Sequence, residues 1–265
     1  MKKAAFIGTG NMGAALVRAA CRAVGGKQVV VTNRTLEKAE ALAAEVGCSV
    51  AKSNREAAKG AEYIFLCVKP KLIRGVIEEI GPALDGKKAL VSVAAGVMTA
   101  DLMACAEENT PILRIMPNTC AAIGKGMTAL CGARSASEKH FADVEAILAQ
   151  TGRVERIPED QMDAFSAVAG CGPAFIYPLI EALADGGVMA GLPRAAAMTY
   201  AAQMILGSAS MVLETGEHPG KLKDDVCSPG GSTIAGVAAL ERHGYRAAAM
   251  DAVLCAFERN KQLGK

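Results

Sequence analysis

The chain has 265 residues, room for two domains of ordinary size, and 51% of them are apolar although only 4% are aromatic and none is Trp. With 51 Ala the apolar bulk comes from small aliphatics, which favours closely packed helices. Lys and Arg number 29 against 27 Asp and Glu, and no run of five like charges occurs, so neither a nucleic acid nor an anionic membrane surface has an electrostatic footprint here.

Met1-Lys2-Lys3 is followed by only four apolar residues before a glycine motif, too short for a signal-peptide core, so the chain is expected to stay in the cytoplasm. Short β-rich runs then alternate with helical patterns: strand 3–8, helix 11–24, strand 28–32, helix 36–46. Strand candidates follow at 48–51, 63–68, 89–94, 112–116 and 127–131, with helices near 71–80 and 99–107. Helix 137–150 and strand 153–157 close this half, and Pro158 marks its boundary. The rhythm predicts an α/β class domain over 1–158, a doubly wound and largely parallel sheet.

Residues 159–265 have almost no β-branched alternation, and Ala/Met/Leu-rich segments are interrupted at Gly172-Pro173, Gly191-Leu192-Pro193, His218-Pro219-Gly220 and Ser228-Pro229-Gly230-Gly231. That predicts an all-α second domain. Helices dominated by Ala bury little apolar area as an isolated bundle, so association through them as a homodimer or a higher homo-oligomer of dimers is expected. The most apolar stretches, 164–180 and 204–213, are short or interrupted by Gly, Pro and Ser, and no membrane-spanning helix is predicted. Nine Cys, an odd count without C-x-x-C, read as reduced and mostly buried thiols. His140, His218 and His243 share no ligand spacing, so no metal site is expected.

Gly8-Thr9-Gly10-Asn11-Met12-Gly13 matches G-x-G-x-x-G between a predicted strand and a predicted helix, the context of a Rossmann-type dinucleotide site. Gly8 allows the tight turn, Gly10 the approach of a pyrophosphate and Gly13 close helix–strand packing. Where an acidic residue would meet the ribose of NAD, the second strand ends in Thr32-Asn33-Arg34-Thr35. A guanidinium at Arg34 pairs with a 2′-phosphate, and Asn33 adds a neutral donor, so NADP is the expected cofactor, with NADPH preferred over NADH. At later strand ends, Val68-Lys69-Pro70 and Ala94-Ala95-Gly96 are candidates to border the nicotinamide, and Asn54 to touch the adenosine.

Ser228-Pro229-Gly230-Gly231-Ser232-Thr233 is a sharp turn feeding a helix expected from about 233 to 242. A helix N-terminus preceded by two glycines is a receptor for a carboxylate. Thr233, or Ser232, adds a hydroxyl able to hydrogen-bond a substrate nitrogen, or to cap the helix.

The run from Asp224 to Gly236 closely resembles the signature of the pyrroline-5-carboxylate reductases. Ala169 to Phe175, Ala184 to Gly187, Gly191 to Pro193, Arg114 to Thr119 and the glycine-motif start support the resemblance across nearly the whole chain. It implies NAD(P)H-dependent reduction of the cyclic imine L-1-pyrroline-5-carboxylate to L-proline, the last step of proline biosynthesis, with dimerisation through the helical domain. It also implies that Thr233 is the usual substrate contact, while Ser228, Gly230, Gly231 and Ser232 are, on the residues themselves, the candidate substrate-binding loop beside it. Cys171 and Phe175 stand where the family usually has Ser and Tyr. A dehydrogenase of small hydroxy acids, or a catalytically silent NADP-binding scaffold, would use the same two-domain plan.

Overall fold

The computed structural model describes residues 1–84 and 86–263. Packing divides the chain into two compact units, Met1–Cys171 with the segment from Ala256, and Gly172–Cys255. The first holds strands β1 (Lys2–Ile7), β2 (Val29–Thr32), β3 (Ser49–Val50), β4 (Ala61–Leu66), β5 (Ala89–Ser92), β6 (Ile112–Pro117), β7 (Gly126–Gly132) and β8 (Gly152–Arg156). Its helices are α1 (Asn11–Val24), α2 (Leu36–Val46), α3 (Asn54–Lys59), α4 (Ile73–Ile80), α5 (Thr99–Met103), α6 (Glu138–Leu148) and α7 (Met162–Phe165).

The strands lie in the order β3-β2-β1-β4-β5-β6-β7-β8. All neighbours are parallel except β6 and β7, which run antiparallel. The eight residues between them are too few for a parallel crossover, which needs a dozen or more. Strand order reverses between β1 and its neighbours β2 and β4, and ligands of open α/β sheets bind at that switch point, outside the strands' carboxyl ends.

Side chains of β1 and β4 alternate between the two faces, as a sheet covered on both sides requires. Phe6 and Phe65 stack with ring centroids 4.5 Å apart in a core shared with Leu16, Val17, Leu42, Val144 and Ile147 of α1, α2 and α6. Ile7, Ile64 and Leu66 face the other way, against Ile73, Ile77 and Ile80 of α4 and Leu102 of α5. The 73, 77, 80 spacing is one stripe of a helix. Helix α3 escapes periodicity because it has only six residues; Ser53 Oγ accepts the Glu56 amide and Glu56 Oε2 accepts that of Lys52, a local cap that starts it.

The sheet unit extends past Pro158, where the sequence places the boundary. Contacts that hold residues 159–171 on it include the Arg114–Glu159 pair, the bond from Asn118 Nδ2 to the Ala169 carbonyl at 2.9 Å and that from Asn260 Nδ2 to the Asp163 carbonyl at 3.1 Å.

The second unit comprises α8 (Gly172–Met189), α9 (Arg194–Thr215), α10 (Pro219–Val226), α11 (Ser232–Arg242) and the first part of α12 (Tyr245–Leu263). Gly191-Leu192-Pro193 separates α8 from α9 as expected, with Gly191 at φ +99°. Gly172-Pro173 makes no break, and this corrects the expectation of short, interrupted apolar stretches. Pro173 sits in the first turn of α8, directly after a π-helical turn at Ser166–Gly170, so the chain keeps its helical path. Glu159–Met189 and Arg194–Thr215 are therefore helical runs of 31 and 22 residues, long and apolar enough by composition to cross a membrane. Only Ala184 in α8 and Ala197 and Ala201 in α9 are buried.

Candidate active site

Gly8 and Gly10 build the loop from β1 to α1 in different ways. Gly8 has φ +102°, and a Cβ there would lie 2.5 Å from the Cys67 carbonyl oxygen. On Gly10 a Cβ would meet nothing within 4 Å, which leaves open space above the backbone for a phosphate. Gly10 is also the N-cap of α1 and provides no side-chain cap, so the amides of Asn11, Met12 and Gly13 are left for an anion. Thr9 is buried, and its Oγ1 has no hydrogen-bond partner among the described residues. The donor set and the glycine cradle fit a dinucleotide pyrophosphate. Under the loop, burial pushes the Cys67 thiol up to about 12, which makes it a neutral packing group.

At the end of β2, Asn33 uses its side chain internally: Oδ1 accepts the Thr9 amide at 3.2 Å and Nδ2 donates to the Thr35 carbonyl at 2.9 Å. It thereby joins the glycine loop to the start of α2. Arg34 next to it is exposed and has no acidic partner among the described residues. Asn54, the first residue of α3, donates to Glu79 Oε2 at 2.7 Å.

Val68, Lys69 and Pro70 follow β4; Val68 Cγ1 lies 3.3 Å from where a Gly8 side chain would be, and Lys69 is exposed. Ala94, Ala95 and Gly96 follow β5, with Gly96 at φ +72° and Ala95 exposed. Both segments leave strand carboxyl ends on this side of the sheet, the first that of β4 beside the switch point and the second that of β5 next to it. Sequence reasoning missed Glu159, whose carboxylate accepts the Thr99 amide at 2.7 Å, the Thr99 hydroxyl at 2.6 Å and Nη1 of Arg114. Burial pushes this carboxyl up, and the Thr99 and Arg114 bonds outweigh it and hold the group below its ordinary value. A charge in the middle of an otherwise apolar strand, Arg114 in β6, was the signal that a buried partner exists.

In the helical unit the residues 228–231 form a turn that requires a glycine at 230 and is crowded at 231. Gly230 has φ +68°, and a Cβ on Gly231 would fall 2.6 Å from Ser228 Oγ. The Gly231 amide donates to the Ser228 carbonyl at 3.0 Å. Helix α11 starts at Ser232, one residue before the expected start, and its N-cap is Gly231 without a side-chain cap. Ser232 and Thr233 are thus the first two helical residues, both exposed, and neither hydroxyl has a partner among the described residues. The arrangement presents uncapped amides and two free hydroxyls at the positive end of a helix.

A family model for pyrroline-5-carboxylate reductase dimerisation matches residues 159–263, and one for NADP oxidoreductase, coenzyme F420-dependent, matches residues 3–96. The chain is 41% identical to a pyrroline-5-carboxylate reductase of Escherichia coli over 100% of its own length and 99% of the relative's. It is 38% identical to one of Methanosarcina acetivorans, covering 100% and 98%. Among solved structures, a pyrroline-5-carboxylate reductase from Coxiella burnetii superposes with TM-score 0.92 at 31% identity, covering 100% and 99%. A Plasmodium falciparum pyrroline carboxylate reductase with NADP bound gives 0.89 at 30% identity, covering 100% and 98%. The sheet unit, its glycine loop, the helical unit and these full-length similarities agree: the chain belongs to the pyrroline-5-carboxylate reductase family.

Proposed function

We propose that the chain reduces L-1-pyrroline-5-carboxylate to L-proline with NADPH, residues 1–158 holding the cofactor and the helical half from 159 onward the substrate. The observation that carries this reading is a pair of uncapped, glycine-built helix N-termini in a chain of this family. One, at Gly10, has space for a pyrophosphate; the other, at Gly231, suits a single carboxylate.

When bound, NADPH supplies the hydride. Gly8 to Gly13 grip its pyrophosphate, and Arg34 pairs with the 2′-phosphate, which selects NADPH over NADH. Asn33 acts by fixing the Thr9 amide and the Thr35 carbonyl, while Asn54 stands on the adenosine side. Val68, Lys69, Pro70, Ala94, Ala95 and Gly96 border the nicotinamide ring. Amides of the 228–233 turn hold the substrate carboxylate, and the Thr233 hydroxyl orients the imine nitrogen. An imine carbon accepts hydride far more readily when its nitrogen is protonated, so orientation is what the site must supply, and no nucleophile is required. Lys69 contacts the cofactor; its positive charge is a poor neighbour for a cationic iminium.

The family's dimerisation match points to a homo-oligomer. The exposed Met189, Tyr200, Leu206, Met211 and Leu213 of α8 and α9 give that association its apolar surface, and we assign it to a dimer in the cytoplasm. On this reading the two long apolar helices meet a second copy instead of lipid. The balanced charge offers nucleic acid no surface. The decisive assay follows NADPH absorbance with pyrroline-5-carboxylate, with a 2-oxo acid and with neither. Loss of absorbance only with the imine is expected; turnover of the oxo acid alone would make the chain a hydroxy-acid dehydrogenase, and silence with both a scaffold.

A further inference from the structure

The segment between β5 and α5 is fixed at both ends. At its start the Ala94 amide donates to the Oγ of buried Ser92 at 3.2 Å. At its end, Glu159 takes two donors from one residue, the amide and the hydroxyl of Thr99, and Arg114 Nη1 approaches the same carboxylate. Thr99 and Arg114 are 8% and 2% exposed. Asp101 Oδ2 also accepts the Met98 amide at 3.0 Å, closing the first turn of α5.

Binding a backbone donor and a side-chain donor of the same residue fixes its rotation as well as its position. Only a carboxylate has two acceptor oxygens for those donors and charge for a guanidinium; a Gln amide offers one oxygen and turns an NH2 toward the rest. None of the chemistry above uses Glu159 or Arg114, and a buried ion pair is a weak source of stability compared with apolar packing. The geometry points to a positioning role: we infer that Glu159, acting through Thr99, holds Ala94-Ala95-Gly96 in register against the nicotinamide end of the cofactor. This rests on the reading that these three residues border that ring.

The test uses the full-length enzyme and two probes, NADPH and ADP-ribose 2′-phosphate, which lacks the nicotinamide. Thr99→Val is expected to lower kcat fivefold or more, to leave the Kd of ADP-ribose 2′-phosphate within twofold, and to be rescued by Thr99→Ser. Glu159→Gln should give the same split, and Thr99→Val should add nothing in the Glu159→Gln background, because the hydroxyl bond it removes is among those already disrupted there. Should Glu159→Gln fail to fold, the Thr99 pair decides alone. A Thr99→Val enzyme with a lowered Tm but unchanged kcat would make the clamp merely structural and overturn the inference, as would additive losses in the double variant. Ala95→Leu tests the underlying reading: it should weaken NADPH tenfold or more and spare ADP-ribose 2′-phosphate. Unaltered NADPH binding in that variant would remove the loop from the nicotinamide, and the inference with it.

Discussion

A Cβ placed on Gly13 would lie 2.2 Å from the carbonyl oxygen of Gly8, whereas one on Gly10 would touch nothing. The two substitutions should therefore fail differently. Gly13→Ala forces apart the turn on which α1 rests and is expected to lower Tm as well as cofactor binding. Gly10→Ala keeps the fold, since Gly10 has ordinary extended φ of −68°, and blocks only the space for the pyrophosphate. Thermal melts alongside NADPH titration separate them; a Gly10→Ala protein that binds NADPH normally would contradict the placement of the phosphates.

Arg34→Ala removes an exposed guanidinium with no acidic partner among the described residues, so the fold should not notice. NADPH is expected to lose a charge-assisted pair worth about 1.5–3 kcal/mol, roughly ten- to hundredfold in KM, while NADH is little changed. Equal losses for both cofactors would show that Arg34 does not read the 2′-phosphate.

Thr233→Val nearly keeps the side-chain volume and removes one hydroxyl. Because Gly231, without a side chain, caps α11, the helix does not depend on Thr233 for its start, and Tm should stay put. kcat/KM for pyrroline-5-carboxylate should fall by roughly tenfold or more with NADPH binding retained. Unchanged kcat/KM would leave the turn as a carboxylate receptor and strike Thr233 from the chemistry.

Asp143 on α6 accepts from Lys139 at 2.6 Å, from the Tyr63 hydroxyl at 2.6 Å, and pairs with Lys3 at 3.0 Å. Burial pushes its carboxyl up, and these three donors together hold it far below the ordinary Asp value of 3.8. A depressed folded-state value stabilises fully above the unfolded value and is lost as pH falls through the folded one. Stability should thus decline below about pH 4, and Asp143→Asn should flatten that acid limb while lowering Tm at neutral pH. Denaturant melts at several pH values check it; parallel acid limbs in the two proteins would refute it.

Most of the sheet unit was legible because its signals are local. The central strands are apolar runs, each long helix has a stripe such as Ile73, Ile77 and Ile80, and the glycine motif carries its own geometry. What escaped depended on partners distant in sequence or on very short elements. Asn33 reads as a free donor until its side chain is found spanning Thr9 and Thr35. Glu159 sits 60 residues from Thr99 and 45 from Arg114, so nothing near it announces the clamp. Gly172-Pro173 looks like a break because composition cannot distinguish a proline that ends a helix from one in its first turn. In the helical half the glycine turn before α11 was readable, since the positive φ at Gly230 leaves few residues able to stand there.

The near absence of buried side chains in α8 and α9 has a consequence for how the protein responds to its own abundance. A unit that finishes its interior only by meeting another copy gains stability by mass action, growing with the logarithm of chain concentration. Dilution alone should then act as a denaturant for this half, and the melting midpoint of the helical unit becomes a measure of how much enzyme is present.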